Sequence, residues 1–228
     1  MKNYIAPSLV ALACAFTLNA FGGPVFLDNF NIPNTTDLNS QRELRQSGSA
    51  APSAYRAVTI GPAEAIANDQ FKIENNALSM ISAPKKGPAS LCLDHDFGNL
   101  GARYHIGVTA RAVNSWAAIQ LSPVQKGNWP DSSAGLSLII LQNGAWTAWN
   151  NTDQPKQVIG NGRVALADKY RVEFDIDETD GKSVTVLING VKALENKPFS
   201  YSAPNRYLLL QSNGQAEFDE LSVGTVDK

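Results

Sequence analysis

Cysteine is scarce in this chain of 228 residues, which contains two, Cys14 and Cys92. Cys14 lies in an apolar N-terminal stretch with the features of a secretory signal peptide. Once that peptide is removed one cysteine remains, so the mature chain cannot form an intramolecular disulfide. The pattern Leu91-Cys-Leu93 predicts that Cys92 is a buried thiol. The sequence therefore excludes a domain stabilised by disulfides, and the stability of the mature domain must come from a hydrophobic core or a bound metal.

Long apolar runs and an excess of one charge are also missing. Lys and Arg number 19 and Asp and Glu number 21, and the basic residues form no run or stripe. A nucleic acid is therefore not an expected partner. The apolar stretch from Ile5 to Leu18 is shorter than the ~20 residues that span a membrane, and no later stretch reaches that length. The sequence predicts no transmembrane segment.

Residues 1–20 have the three parts of a secretory signal peptide. Lys2 supplies the positive start, the apolar stretch follows, and Leu18-Asn-Ala20 is a small-residue cleavage site. We predict a secreted, periplasmic or cell-surface protein with a single domain over 21–228. A lipoprotein anchor is less favoured, because Cys14 lies inside the apolar run rather than at its end.

Helical periodicity is absent over three turns, and Ala63 to Asp69 is the best short candidate. Residues 31–54 predict a long polar loop. Elsewhere, short strand patterns follow one another with turn residues between them, which predicts an all-β fold, an antiparallel β-sandwich. The predicted strands are Pro24–Phe30, Tyr55–Ile60, Gln70–Glu74, Ala77–Ser82, Ser90–Asp94, Arg103–Val113, Trp116–Ser122, Gly135–Gln142, Ala145–Trp149, Lys169–Asp177, Lys182–Ile188 and Val191–Leu194.

The end of the chain predicts a closing β-hairpin. Two strand patterns meet at Asn213-Gly214, the kind of pair that tight hairpin turns require, and Asn75-Asn76, Asn143-Gly144 and Asn189-Gly190 predict three more hairpins. In the last strand the adjacent Asp219 and Glu220 interrupt the alternation, which predicts a β-bulge. We expect this strand to pair with the first strand of the domain.

These patterns resemble a known superfamily. Phe-x-Asp-Asn-Phe at 26–30, Tyr-x-Val-x-Phe-x-Ile at 170–176, Val-x-Val-x-Ile-Asn-Gly at 184–190 and Gly-x-x-x-Phe-Asp-Glu-Leu-x-Val at 214–223 are similar to concanavalin A-like jelly rolls. That group includes laminin-G-like domains, legume-lectin relatives and laminarinase-type glucanases, and Leu93-Asp-His-Asp-Phe97 resembles exported bacterial sandwich proteins of the group. The resemblance implies a jelly-roll sandwich and a secreted, non-catalytic carbohydrate-binding function, with a glycan or polysaccharide as partner.

Enzymes of the same fold are the alternative. Laminarinase-type glucanases carry Glu-x-Asp-x-x-Glu on one strand, and this spacing is absent. Glu173, Asp175 and Asp177 do share a strand face, but they lie opposite an apolar face, which is typical of a solvated surface. No hydrolase carboxylate pair is therefore predicted.

A polysaccharide lyase is the second enzyme alternative, because Arg42-Glu-Leu-Arg45 resembles a strand of jelly-roll alginate lyases. Those enzymes also carry a Gln-x-His strand, whereas Gln120 is followed by Leu121 and Ser122. The candidate catalytic residues under this alternative are Arg42, Arg45, Tyr104 and His105. A structural or adhesive module that recognises protein is the remaining class.

The resemblance to glucanases also implies a structural calcium ion held between the first and last strands. Asp28 and Asp219 are the candidate ligands, since hard carboxylate oxygens suit calcium. The opposed interpretation is a pair of surface aspartates. No organic cofactor is predicted.

Tryptophan supplies the candidate glycan contacts, because a sugar ring stacks its C–H face on an indole. Trp129 lies in a polar loop, and Trp146 and Trp149 are at odd separation, so they face opposite sides of a strand. The predicted ligand-binding residues are Trp129, Trp149, Asn150 and Asn143, with the asparagines as partners for hydroxyl groups.

Overall fold

The structure is a computed structural model that describes residues 21–48, 52–58, 70–82, 88–94, 100–122, 135–150, 157–199 and 207–226, with backbone alone for 21–24. The described residues contain one helical turn and sixteen strands. They are β1 (Phe21–Asp28), α1 (Arg42–Arg45), β2 (Gln46–Ser47), β3 (Ala54–Ala57), β4 (Phe71–Glu74), β5 (Ala77–Ile81), β6 (Ala89–Asp94), β7 (Arg103–Ala112), β8 (Trp116–Ser122), β9 (Leu136–Leu141), β10 (Ala145–Asn150), β11 (Gln157–Arg163), β12 (Tyr170–Asp177), β13 (Ser183–Ile188), β14 (Val191–Pro198), β15 (Tyr207–Asn213) and β16 (Gln215–Val226).

The strands form two antiparallel sheets. The nine-stranded sheet has the order β14-β13-β12-β7-β16-β1-β2, and β5 and β4 extend it from the first half of β16. The seven-stranded sheet has the order β11-β10-β9-β8-β15-β6-β3. The predicted all-β antiparallel sandwich is confirmed. None of the described helical residues forms a helix long and apolar enough to cross a membrane.

Strand alternation builds the core between the two sheets. On β12, Tyr170, Val172, Phe174 and Ile176 are buried while the residues between them are partly exposed. Apolar side chains of β9 in the other sheet belong to the same buried cluster. Because successive side chains on a strand point to opposite faces, each sheet presents one apolar face to this core and a second face away from it.

Tight turns fall where the asparagine pairs predict them. Asn189 and Gly190 have φ angles of 52° and 74° and join β13 to β14. Asn143-Gly144 joins β9 to β10, with Gly144 at φ 77°. Asn75-Asn76 joins β4 to β5 in the same way. Positive φ at both residues is the geometry of a two-residue hairpin turn, as at Asn75-Asn76 and Asn189-Gly190. The connection from β9 to β10 has three residues, with positive φ at the glycine. All three predicted hairpins are confirmed.

The predicted closing hairpin is wrong in one respect. β15 and β16 exist and Gly214 between them has φ 98°, but β15 lies in the seven-stranded sheet and β16 in the nine-stranded sheet. The turn therefore carries the chain from one sheet to the other. The pairing of β16 with β1 is confirmed, and so is the bulge, since the register of β16 against β7 shifts between Asp219 and Ser222.

Two further predictions need correction. The loop predicted over 31–54 contains α1 and β2, so Arg42 to Arg45 form a helical turn and not the strand of the lyase resemblance. β11 was not predicted, because Gly160, Asn161 and Gly162 make it look like a turn. The helix expected at Ala63 to Asp69 lies outside the described residues.

Candidate binding face

The face of the seven-stranded sheet that points away from the core, called the outer face below, carries the candidate site. Ala117, Ile119 and Leu121 of β8 belong to the core cluster. Ala118, Gln120 and Ser122 alternate with them and therefore lie on the outer face. A glutamine and a serine inside this otherwise apolar strand are the sequence signal of a polar second face.

Strand register places residues of seven strands in one row across the outer face, called the central row below. Gln120 pairs with Leu209 of β15 and with Ser137 of β9. Continuing to both sides, the central row consists of Arg56, Cys92, Leu209, Gln120, Ser137, Trp149 and Val158. The row crosses the strands at right angles, because paired residues lie opposite each other in the hydrogen-bonding direction.

A parallel row adds further polar groups. Gln211 pairs with Ser90 and with Ala118, and its side-chain Nε2 donates a hydrogen bond to Ser90 Oγ at 3.0 Å. Side chains on the outer face of β6, β15, β8 and β9 are themselves buried. Polar groups there are consequently shielded from water and must find partners within the fold or in a ligand.

Gln120 does not meet that requirement. Its side chain is 0% exposed, and among the described residues neither its Nε2 nor its Oε1 has a hydrogen-bond partner. A carboxamide offers two N–H donors and a carbonyl acceptor. A buried polar group left unsatisfied costs about 1–3 kcal/mol, so an orphaned amide at the centre of a sheet calls for an explanation.

Charge is nearly absent from this sheet. Arg56, Asp94 and Arg163 are the charged residues in the described strands of the seven-stranded sheet. Arg56 Nη2 lies 2.5 Å from Asp94 Oδ2, so these two neutralise each other. Burial, aided by the nearby Asp94 carboxylate, raises the pKa of Cys92 to about 12. The thiol in the central row therefore stays protonated and unreactive.

The predicted ligand-binding residues are not brought together. Trp149 lies on the outer face, in the central row. Asn150 alternates with the core residues Trp146 and Ala148 and is buried on that side. Asn143 lies in the β9–β10 turn, where its Oδ1 accepts a hydrogen bond from the Ala145 N–H. Trp129 lies outside the described residues. Ligand binding by these four residues stays a prediction.

The residues of the lyase alternative lie in separate networks. Arg42 is partly exposed and donates to the Asn39 carbonyl, whereas Arg45 is buried against Asp28. Tyr104 belongs to the core, and its hydroxyl donates to Glu178 Oε1 at 3.0 Å. His105 faces the opposite way, with Nδ1 2.6 Å from Asp175 Oδ1. No single groove joins these four side chains among the described residues.

Asp28, one of the predicted calcium ligands, is the centre of a buried hydrogen-bond network. Its Oδ1 accepts from the Phe30 N–H at 3.0 Å. Its Oδ2 accepts from the Arg45 guanidinium, from Gln46 Nε2 at 2.9 Å and from the Tyr55 hydroxyl at 2.9 Å. The guanidinium also lies 5.1 Å from the Phe30 ring centroid and 5.4 Å from that of Tyr55. Four donors thus surround one carboxylate.

This donor set does not fit a calcium ion at Asp28. A cation needs oxygen ligands with free lone pairs, whereas a guanidinium already neutralises this carboxylate. Asp219 is half-buried, and burial raises its pKa, with Glu220 and Asp28 adding to the shift. No group of three or more His, Cys, Asp or Glu residues suited to a metal occurs among the described residues. Calcium binding stays a prediction that these contacts do not support.

Comparison with solved structures identifies the fold. A structure from work on endo-acting O-glycanases, which human gut microbiota express to initiate mucin breakdown, matches with TM-score 0.56 and 12% identity over 90% of this chain and 100% of its own. The Emp47p carbohydrate recognition domain matches with TM-score 0.54 and 13% identity, over 84% and 94%. Carbohydrate-binding module CBM66 from Bacillus subtilis matches with TM-score 0.50 and 10% identity, over 75% and 95%.

Sequence comparison adds nothing to these matches, since no protein family and no curated protein matches the chain. At identities of 10–13% the structural matches show a shared architecture and not a shared activity. The chain has the jelly-roll β-sandwich fold of carbohydrate-binding modules and lectin domains.

Proposed function

We propose that the protein is a secreted carbohydrate-binding module that holds a glycan on the outer face of its seven-stranded sheet and does not cleave it. The observation that carries this proposal is Trp149, which is half-buried on the outer face beside the exposed Val158 of β11. The fold matches named above, to a carbohydrate-binding module and a carbohydrate recognition domain, support the same class of function.

The chemistry of the central row suits a sugar. Trp149 is half-buried on the outer face, where its indole can stack on the C–H face of a sugar ring. Ser137 and Gln120 on the next two strands are 0% exposed, so the accessible part of the row is its Trp149 end, where Val158 of β11 is exposed.

The same face lacks the groups for glycoside hydrolysis. Glycosidases use two carboxylates flanking the scissile bond. In the described strands of the seven-stranded sheet Asp94 is the one acidic residue, and Arg56 holds it in an ion pair. Position 122, two residues after Gln120, is a buried serine and not the histidine of the lyase pattern. These observations favour binding without cleavage.

A polysaccharide panel tests the proposal with one set of samples. The mature protein is incubated with neutral and uronate-bearing polysaccharides, and binding, new reducing ends and the ultraviolet absorbance of unsaturated uronates are recorded together. We expect binding without product, and a Trp149→Ala variant at least about tenfold weaker, equivalent to ~1.4 kcal/mol.

His105→Ala is the matched control, because His105 belongs to the lyase alternative and lies on the other sheet. We expect this variant to bind as the unaltered protein does. Product formation that His105→Ala abolishes would replace the proposal with the lyase. Absence of binding to every glycan would overturn it in favour of a structural module.

A further inference from the structure

A cleft lies at one end of the sandwich, where three connecting segments meet. They are the β7–β8 turn, the β9–β10 turn and residues 164–169 between β11 and β12. Two adjoining cavities of about 510 and about 340 Å³ share Gln142 and Leu166 in their walls. These two cavities together are called the end cleft below.

Exposed leucines make the end cleft partly apolar. Leu166, which is 78% exposed, lines both cavities, and Leu141, which is 36% exposed, lines the larger one. Six large apolar side chains are exposed among the described residues, and two of the six therefore line this one cleft. Apolar side chains from separate segments that converge on a concave surface are typical of a binding site.

Asparagine side chains add oriented hydrogen-bond donors to the larger cavity. The Asn143 Oδ1 accepts from the Ala145 N–H at 3.0 Å, and the Asn114 Oδ1 accepts from the Gln215 N–H at 2.6 Å. Because the oxygens are engaged by the backbone, the plane of each amide is fixed. The NH₂ groups of both side chains have no partner among the described residues, so they are available to donate to a ligand.

Hydrogen bonds hold the walls of the end cleft together before any ligand binds. The hydroxyl of Tyr170, a core residue, donates to the Gln142 carbonyl at 3.1 Å and accepts from the Ala167 N–H at 3.2 Å. The Val164 N–H donates to the Gly144 carbonyl at 3.0 Å. The β9–β10 turn and the segment after β11 are thereby joined, so a ligand need not order them.

The charges of the end cleft favour a neutral ligand. In the smaller cavity Arg111 forms ion pairs with Asp168 at 2.9 Å and with Glu217 at 3.3 Å. The larger cavity is lined by uncharged residues, Asn114, Ser115, Leu141, Gln142, Asn143 and Leu166. A charged group bound there would lose hydration without gaining a counter-charge.

The end cleft adjoins the outer face. Leu141 and Ser137 alternate with the core residues of β9 and therefore lie on that face. Ser137 pairs with Trp149, so Leu141 and Trp149 are separated by four residues along the strands, roughly 14 Å at ~3.4 Å per residue. Thr147 lies between them on β10 and is partly exposed. One glycan chain can therefore contact Trp149 and enter the end cleft.

We propose that the end cleft binds an N-acetylated amino sugar, whose acetamido methyl packs against Leu141 and Leu166 while its carbonyl oxygen accepts a hydrogen bond from the Asn143 amide. This inference rests on the proposed carbohydrate-binding function and names the class of sugar. An acetamido group is uncharged and joins a methyl to a carbonyl acceptor, which matches leucines beside amide donors. A hexose with a hydroxyl at the same carbon offers the leucines no apolar group.

Matched sugars test this class of ligand. Isothermal titration compares oligosaccharides of glucose with those of N-acetylglucosamine, and galactosides with N-acetylgalactosaminides, so that each pair differs at carbon 2 alone. We expect the acetylated member of at least one pair to bind at least about tenfold more tightly than its partner. Equal affinities within both pairs, or binding to other glycans alone, would overturn this inference and leave the proposed function standing. Absence of binding to every glycan would overturn both.

Asn143→Asp isolates the amide donor. Aspartate keeps the oxygen that accepts from the Ala145 N–H and lacks the NH₂ group. We expect an unchanged melting temperature and an affinity for the acetylated sugar at least about tenfold lower. Asn189→Asp is the matched control, because the Asn189 Oδ1 accepts from the Arg171 N–H at another hairpin, and its affinity should not change. Unchanged affinity in Asn143→Asp would overturn the role of Asn143.

Leu166→Ser tests the apolar contact. We expect this variant to bind the acetylated sugar about fivefold or more weakly, with a smaller preference over the unacetylated partner. Leu44→Ser is the matched control, because Leu44 is 75% exposed on α1, away from the end cleft. Equal affinities of the two variants would show that the methyl group does not pack against Leu166.

Discussion

Arg42 and Arg45 belong to the same helical turn but differ in how deeply their side chains are buried. Arg42 is partly exposed, whereas the Arg45 side chain is 0% exposed and forms an ion pair with Asp28, which is equally buried. Breaking a buried pair by removing one partner leaves an uncompensated charge in the interior. We therefore expect Arg45→Met to lower the free energy of unfolding by about 3–5 kcal/mol, measured by urea denaturation.

Arg42→Ala is the control for that measurement, because it removes the same kind of side chain from the surface of the same turn. We expect its free energy of unfolding to change by no more than about 0.5 kcal/mol. Equal losses in the two variants would show that the Asp28–Arg45 pair does not stabilise the domain.

Tyr55 makes the stability of the domain depend on pH. Burial first, and the Asp28 charge second, raise the pKa of Tyr55 well above its ordinary value of 10.0. Above pH 10 the unfolded chain loses this proton while the folded chain keeps it, so stability falls with rising pH, by at most ~1.4 kcal/mol per pH unit. Below pH 10 both states are protonated and the effect disappears.

Tyr55→Phe removes the titrating group. We expect this variant to lose about 1 kcal/mol at neutral pH, since its hydrogen bond to Asp28 is gone, and to show a shallower decline above pH 10. Urea denaturation of both proteins over a pH series measures the two slopes. Parallel slopes would contradict the assignment of the effect to Tyr55.

At the scale of single residues, the sequence identified residues with notable chemistry but not which of them lie together in the fold. It singled out Asp28 and Arg45, but it placed them in different sites, because the contacts that join them bridge long stretches of chain. Gln120 was noticed as a strand glutamine, whereas its lack of a partner depends on how seven strands align. No local pattern records that alignment.

At the scale of elements, two hairpin glycines with similar φ angles have different surroundings. Gly144 and Gly190 have φ angles of 77° and 74°, in the left-handed region. A Cβ added at Gly190 meets no atom within 4 Å, whereas at Gly144 it lies 2.7 Å from the Val164 carbonyl oxygen. That oxygen belongs to the backbone and cannot simply rotate away.

The pair therefore separates backbone strain from steric overlap. We expect Gly190→Ala to cost about 1–2 kcal/mol from its conformation alone. Gly144→Ala should cost at least about 1 kcal/mol more, because the chain after β11 must also shift. Thermal and urea denaturation measure both losses. Equal losses would mean that the Val164 segment moves freely.

Elements with strong local signals could be predicted closely. The bounds of β8 agree exactly with the prediction, and turns built on Asn143 and Asn189 are hairpins as expected. β11 was missed because its glycines obscure the strand pattern, although Gly160 leaves room for the Leu194 side chain and Gly162 for the Trp146 ring. The turn at Asn213 has hairpin chemistry, and only long-range pairing decides that it changes sheets.

At the scale of the whole molecule, a bound structural calcium ion would raise the stability of the fold. A calcium site saturated at a hundred times its dissociation constant would add ~2.7 kcal/mol to stability. The donors around Asp28 leave no role for such an ion, so we expect the same melting temperature in EGTA and in CaCl₂. A melting temperature that EGTA lowers and calcium restores would contradict this, and Asp219→Asn would then show whether Asp219 is a ligand.

The position of β16 has a consequence for how the chain reaches its folded state. β16 lies between β7 and β1, and Phe21 pairs with Val226 at opposite ends of the described chain. Such non-local pairing makes folding slow, since loop closure must precede the contacts that reward it. Until the last strand is synthesised, β1 and β7 each have an unpaired edge in the middle of the future sheet. Aggregation of the nascent chain through these edges is therefore a greater risk during production than instability of the finished sandwich.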